Sequence, residues 1–201
     1  MARYTGPRTK RSRRARQLLD ENKAKYFDRR PNPPGEHGRG RIRESQYLVQ
    51  RREKKKLRHV YGVLEKQFRR YYKEANRRSG ITCTNLLQIL ECRLDNVVYR
   101  AGFARTRQQA RHLVNHGHFQ VNGKKVDIPS YQVRVGDVVS IKERSKETFA
   151  VQHAIDTIDR SAPEWLEVDA DKRAASVTLI PSREQIDTEI KEQLIVELYS
   201  K

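Results

Sequence analysis

The chain has 201 residues, and its 43 Lys+Arg against 25 Asp+Glu give a formal charge of +18. That length supports one or two domains with a real core, and no run approaches the roughly 18 apolar residues of a membrane span. The start, Met1-Ala2-Arg3-Tyr4, lacks the apolar core of an export leader, so a cytoplasmic protein without a membrane partner is expected. The location of the charge decides the class: residues 1–80 hold 26 Lys+Arg against 8 Asp+Glu, whereas residues 81–201 hold 17 of each. This is the asymmetry of a nucleic-acid-binding segment joined to folded domains.

Residues 1–44 read as a basic N-terminal arm, with Lys10-Arg11-Ser12-Arg13-Arg14-Ala15-Arg16 followed by Pro31-Asn32-Pro33-Pro34-Gly35-Glu36-His37-Gly38. No hydrophobic period is sustained there, so the arm by itself is expected to be flexible and to order on RNA. Arg3, Arg8, Lys10, Arg11, Arg13, Arg14 and Arg16 are its candidate phosphate contacts, and Tyr4 and Tyr26 its candidate stacking rings.

Ser45 to about Asn76 reads as strongly helical. Leu57, Val60, Tyr61, Leu64, Phe68, Tyr71 and Tyr72 share one apolar stripe, and the aromatic residues on it are read as core. Lys54, Lys55, Lys56, Arg58 and Arg69 are candidates for phosphate contact beside the cationic arm.

From Leu86 to Val98 the apolar residues Leu86, Leu87, Leu90, Leu94, Val97 and Val98 recur at helical spacing, and Gly102 is expected to end that helix. Thr106 can cap a second helix and Gly117 close it. Ala110, Leu113 and Val114 share its buried face, while Arg107, Gln108, Arg111, His112 and Asn115 are offered to a partner. The period then changes to two at Phe119 and Val121, and Asn122-Gly123 signals a primed hairpin turn followed by Lys124 and Lys125. Val133, Val135, Val138, Val139 and Ile141 predict two more strands, interrupted at Gly136-Asp137. Cys83 and Cys92 have apolar neighbours and read as small core residues.

From Lys146 onward the balance is acidic, 12 Asp+Glu against 7 Lys+Arg, a surface better suited to a protein than to RNA. Ser145 to Ile158 reads as a helix, Trp165 to Val168 and Val177 to Ile180 as strands. Ser182-Arg183-Glu184-Gln185 reads as a capping box opening a final helical region with the stripe Ile190, Leu194, Ile195 and Leu198. The fold class is α+β. A helical domain over 45–90 is completed by a C-terminal helix over 182–201, and an α+β domain covers 91–181.

The residues Arg93-Leu94-Asp95-Asn96-Val97-Val98-Tyr99-Arg100, Gly102-Phe103-Ala104, Thr106-Arg107, Gln109-Ala110-Arg111, His116-Gly117-His118, Val121-Asn122-Gly123 and Ile128-Pro129-Ser130 resemble the RNA-binding module of the bacterial small-ribosomal-subunit S-four family, here about 92–155. The Pro-Pro-Gly-Glu-His-Gly run and the ending Glu192 to Ser200 extend the resemblance over nearly the whole chain. Some members carry four arm cysteines that bind zinc. This chain has no cysteine before Cys83, so neither metal nor cofactor is expected. The resemblance implies a structural component of the 30S subunit that binds the 5′ domain of 16S rRNA early in assembly. It also implies a contact with ribosomal protein S-five that affects decoding accuracy, and leaves messenger RNA open as a further partner. Arg107, Arg111, Lys124 and Lys125 are then the principal rRNA contacts in the module.

The same module occurs in RNA-modifying enzymes, and Arg93-Leu94-Asp95 mimics the catalytic triplet of pseudouridine synthases. Here Asn96-Val97-Val98-Tyr99 follows on an amphipathic helix, so Asp95 reads as a helix-surface carboxylate or one supporting a neighbour, and no enzyme is expected. His112, His116 and His118 approach metal spacing, but no Cys or carboxylate completes a set. Hydrogen bonding to RNA or backbone is the expected use.

Overall fold

The computed structural model describes residues 4–20, 23–40, 43–157 and 160–200. It separates into two compact units, one built from residues 1–73 and 188–201 and the other from 74–187.

The first unit is helical. The described residues begin with α1 (Arg8–Ala15), α2 (Ala24–Asp28) and a single 3-10 turn at Glu36–Arg39. Hydrophobic period alone carries no signal for the helix at 8–15. It forms because Ser12 and Ala15, its only small side chains after Thr9, turn inward against α3 (Gln46–Val60) while its cations stay at the surface. Ser45 caps α3 by accepting from the Leu48 N–H at 3.3 Å.

The stripe predicts one helix over 45–76; there are two, α3 and α4 (Glu65–Arg77). The break is a Schellman turn. Gly62, at φ 63°, donates to the His59 carbonyl at 3.2 Å, and Val63 N–H reaches the Arg58 carbonyl at 2.9 Å. The left-handed conformation at that position favours glycine. Leu64 therefore lies partly in solvent, whereas Leu57, Tyr61, Phe68, Tyr71 and Tyr72 are buried, as the stripe predicts. The final helix, α10 (Gln193–Ser200), covers α3 and stacks Tyr199 on Tyr72 at 4.5 Å between ring centroids. It begins at Gln193, not at Ser182. The Gln185 side chain does reach back to the Ser182 N–H, at 3.1 Å, but closes only a turn.

The second unit packs helices and a sheet around one core. After α5 (Thr82–Glu91) come α6 (Leu94–Arg100), α7 (Arg107–Asn115), β1 (Phe119–Val121), β2 (Lys124–Lys125) and β3 (Val138–Ile141). The short α8 (Glu143–Lys146), α9 (Phe149–Asp156), β4 (Leu166–Asp169) and β5 (Ala174–Val177) complete it. The sheet is antiparallel throughout in the order β2-β1-β3-β5-β4. Its register sets Val121 opposite Val139 and Val139 opposite Ala175, placing a row of apolar residues in the core shared with α6 and α7. Leu94, Val97, Val98, Phe103, Ala110, Val114, Phe119, Ile141 and Trp165 belong to that buried cluster. Each such large side chain contributes about 1.5–3 kcal/mol of transfer free energy.

Several boundaries differ from the pattern reading. Val133 to Val135 makes no strand: Val133 is buried in a loop and Val135 is exposed, which leaves β3 alone. The helix expected over 145–158 is interrupted at Glu147-Thr148, its last expected residue lying outside the described segments. The strand expected at 177–180 sits earlier, at 174–177, where it can pair with β3. Cys83 and Cys92 are unbridged and half-buried, and burial pushes the Cys92 thiol up to about 11.

The main departure lies at Cys92-Arg93. The apolar period runs unbroken from Leu86 to Val98, yet α5 ends at Glu91 and α6 starts at Leu94. The backbone groups released there bond to the loop at 129–133: Leu94 N–H to the Tyr131 carbonyl at 2.9 Å, and Val133 N–H to the Cys92 carbonyl at 2.9 Å. Arg93 is only 1 % exposed and Asp95 only 4 %. The guanidinium grips the carboxylate through Nε to Oδ1 at 3.0 Å and Nη2 to Oδ2 at 2.6 Å. Asp95 is thus an interior carboxylate and not one on the helix surface. It supports Arg93 and has no access to a substrate.

Removing one partner of a buried pair leaves an uncompensated charge. Asp95→Ala is therefore expected to cost about 3–5 kcal/mol, read as a lower urea midpoint. A cost under about 1 kcal/mol would show that the pair does not hold this turn.

Candidate nucleic-acid interface

In the first unit, α1 and the middle of α3 bring their cations together. Arg11 lies with its guanidinium carbon 3.2 Å from the centroid of the Tyr4 ring, so that ring is a platform for an arginine. Arg8 pairs with Asp20 at 2.8 Å, Arg13 Nε donates to the Asn32 carbonyl at 2.7 Å, and Arg16 pairs with Glu44 at 2.7 Å. Lys10 and Arg14 are exposed. Arg3 lies outside the described residues. On α3, Lys54 and Arg58 both reach Glu65, the first at 2.8 Å, and Lys56 pairs with Glu53 at 2.7 Å. Arg69 is exposed on α4.

Crowding of like charge leaves a mark on two groups. The Lys55 ammonium is held below its usual range, first by desolvation and then by Arg51, Arg58, Arg14 and Lys54. His59 is driven down to about 3 by burial and by Arg11, Arg58, Lys55 and Arg14. His59 is thus neutral over the physiological range, and its position among four cations is not legible from the helical period.

In the second unit, Thr106 caps α7 as expected, its hydroxyl accepting from the Gln109 N–H at 3.1 Å. Ala110, Leu113 and Val114 face the core. Gln108, His112 and Asn115 are exposed, and Arg107 and Arg111 half-buried. Arg107 Nε donates to Asn96 Oδ1 at 2.8 Å. Asn96 is buried and its amide nitrogen donates to Glu91 Oε2 at 2.6 Å, while the other Glu91 oxygen takes Arg100 at 2.9 Å. The His112 and His116 rings lie 4.3 Å apart, and His118 Nδ1 is 2.9 Å from Ser145 Oγ. His118 is held below its usual range by desolvation, then by His116, His112 and Lys142.

The hairpin turn has Asn122 at φ 49° and Gly123 at φ 77°, and its two lysines are exposed. Lys125 folds back over the end of α7: a methyl group on Gly117 would meet its Cε at 2.7 Å. The turn thus places Lys125 at the end of α7, with Lys124 next to it. Sequence reasoning missed Arg160 on this unit's basic surface. Arg160 lies 3.8 Å over the Tyr99 ring, and Arg107 lies 4.3 Å over the same ring. No local pattern links positions 61 residues apart.

Comparison with known proteins divides the chain elsewhere, at the turn between α5 and α6. Residues 3–91 match the family described as ribosomal protein S4/S9 N-terminal domain, and residues 92–139 match the S4 domain. A Nocardioides protein named small ribosomal subunit protein uS4 is 60 % identical over 202 residues, covering 100 % of both chains. Proteins of the same name from Saccharopolyspora erythraea and Cutibacterium acnes are 59 % and 58 % identical, again covering 100 % of each chain.

The depressed His59 sets a sign for acid stability. Between its unfolded value near 6.5 and its folded value of about 3, the unfolded chain binds a proton that the folded chain refuses. Its contribution is complete above pH 6.5 and is lost as pH falls through that window. The melting temperature of His59→Gln should accordingly fall less than that of the unaltered chain on acidification from about pH 7 to about pH 4. Parallel curves would refute the assignment.

Proposed function

This chain belongs to the small ribosomal subunit protein uS4 family, and from that premise we propose that it is a structural, non-catalytic protein of the 30S subunit that binds the 5′ domain of 16S rRNA. In this reading it engages that domain early and nucleates folding around it. It then remains in the mature subunit, where its acidic C-terminal stretch meets other proteins, ribosomal protein S-five among them, and so bears on decoding accuracy. The observation that carries the reading is the end-to-end likeness to proteins of that name, which takes in both the basic N-terminal region and the S4 domain.

The geometry supports a mechanism for the proposed function. The α1–α3 surface offers Lys10, Arg11, Arg13, Arg14, Lys55 and Arg58 from rigid helices, and α7 with its neighbouring hairpin offers Arg107, Gln108, Arg111, His112, Asn115, Lys124 and Lys125. Arginine forks and lysine point charges neutralise phosphates, and each neutralised phosphate releases condensed counterions. Base identity is read little by such contacts. Selection comes from the shape of the folded RNA, which must present phosphates where the cations already stand. The pairs to Asp20, Glu44, Glu53 and Glu65 hold part of this surface in a fixed layout before RNA arrives.

Binding of the full chain to a 16S 5′-domain transcript, with a scrambled RNA of equal length and salt varied, tests the proposal. The transcript should be preferred by orders of magnitude. Lys124→Gln with Lys125→Gln should lower the log–log salt slope by about one for each phosphate that is no longer neutralised. Equal binding of both RNAs would sink the ribosomal reading in favour of a general RNA-binding factor.

A further inference from the structure

Tyr99, near the end of α6, carries two arginines from different parts of the second unit. Arg107 begins α7 and stands 4.3 Å over the ring. Arg160 arrives from the segment after α9, stands 3.8 Å over the same ring, and donates through Nη2 to the Ala104 carbonyl at 3.2 Å and the Tyr99 carbonyl at 3.4 Å. Arg105, exposed, precedes Arg107 by two residues at the entry to α7, and its N–H is fixed by Gln109 Oε1 at 3.0 Å. Arg160 lies beyond the residues that match the S4 domain.

Two guanidiniums on one aromatic ring is a costly arrangement for a chain that gains nothing from it, because like charges repel and their side-chain entropy is lost. Here each is locked from two sides, by the ring and by an oxygen acceptor. The acceptor for Arg107 is itself immobile, since Asn96 is buried and tied to Glu91. Planar forks fixed in advance are what a phosphodiester needs, because the ordering entropy is then not charged to binding. The alternative, an acidic peptide, is less well matched. The neighbouring exposed side chains of α7 continue as Gln108, His112 and Asn115, a strip of two amides and an imidazole whose hydrogen-bonding groups suit ribose and base edges.

We propose that Arg160, with Arg105 and Arg107, forms a preset clamp for the RNA sugar–phosphate backbone, Tyr99 being its platform and Asn96 the positioning residue for Arg107. The proposal rests on the reading that this chain binds 16S rRNA, and adds to it a binding residue from outside the matched S4 domain.

The test uses the full chain and the 5′-domain transcript, with the scrambled RNA as reference. Arg160→Gln should weaken transcript binding about five- to twenty-fold and reduce the salt slope by about one. Lys172→Gln, which removes one exposed charge from the turn before β5, should leave both within about two-fold. Arg160→Lys should keep the slope but bind a few-fold more weakly, since it retains the charge without the fork. Asn96→Ala should weaken binding in the unaltered chain and have little further effect in an Arg107→Gln background, a coupling that general loss of packing would not produce. Thermal unfolding of each variant shows whether it folds. Should Arg160→Gln fail to fold, the lysine variant decides alone. Binding by Arg160→Lys equal to the unaltered chain, or an Arg160→Gln indistinguishable from Lys172→Gln, overturns the clamp while rRNA preference stands. An unaltered chain without preference for the transcript overturns the ribosomal reading and the clamp with it.

Discussion

The first unit is governed by a shortage of negative charge. The first 80 residues of the chain carry 8 carboxylates for 26 cations, and Glu44, Glu53 and Glu65 each stand where several segments meet. Glu44 takes Arg16 from the end of α1 and Arg52 from α3. Glu53 takes Lys56 and, through Oε2, the backbone N–H of Lys191 just before α10. Glu65 gathers Lys54, Arg58 and the Tyr199 hydroxyl, which joins α3, α4 and α10 at one side chain. Partly exposed pairs of this kind contribute little each. Their effect is to fix direction, while the aromatic packing of Phe68, Tyr72 and Tyr199 supplies cohesion. The cations beyond this set of clips then face outward at positions already decided.

The second unit, carved from the charge-balanced part of the chain, solves a different problem. It must hold a polar network inside an apolar core and connect it to the surface. The Arg93–Asp95 fork fixes the turn between α5 and α6. Beside it, Glu91, Asn96 and Arg100 satisfy one another, and the outer end of that chain of bonds is Arg107. Interior hydrogen bonding thus ends in a surface arginine, so the position of a presented cation is set from within the fold and not by a mobile loop.

What can be read from residue order is governed by local rules. Thr106, Gly102, Gly117 and Asn122-Gly123 each act on their immediate neighbours, and the structure shows the cap, the helix ends and the hairpin where those residues predict them. The buried stripe of aromatic residues follows from spacing alone. The break at Gly62 is hidden because the apolar stripe continues in phase on both sides of the Schellman turn. The break at Cys92-Arg93 is hidden for the same reason. Its cause, a loop some forty residues away that pairs with the released backbone groups, has no local signature. Asp95 is left between two readings, outward-facing or supporting a neighbour, because residue order does not name its partner; the structure takes the second, with Arg93. In the candidate interface, the charged residues are visible by type, but which of them are clipped to carboxylates and which stack on Tyr4 or Tyr99 depends on tertiary placement. Arg160 gives no sign at all.

The pairing of α10 with α3 also dictates an order of events during synthesis. Residues 74–187 are contiguous, so the second unit has everything it needs as soon as that stretch has emerged. The first unit does not: α3 and α4 are made early, but Ile195 and Tyr199, which close over them, come after the whole of the intervening unit. Until then its aromatic stripe lacks a cover and its most cationic stretch is already outside the exit channel. Such a nascent chain carries, for the time needed to add more than a hundred residues, both an open apolar face and a strong attraction for any nearby polyanion. Delayed closure of this kind makes completion of the first unit the last step in folding the chain.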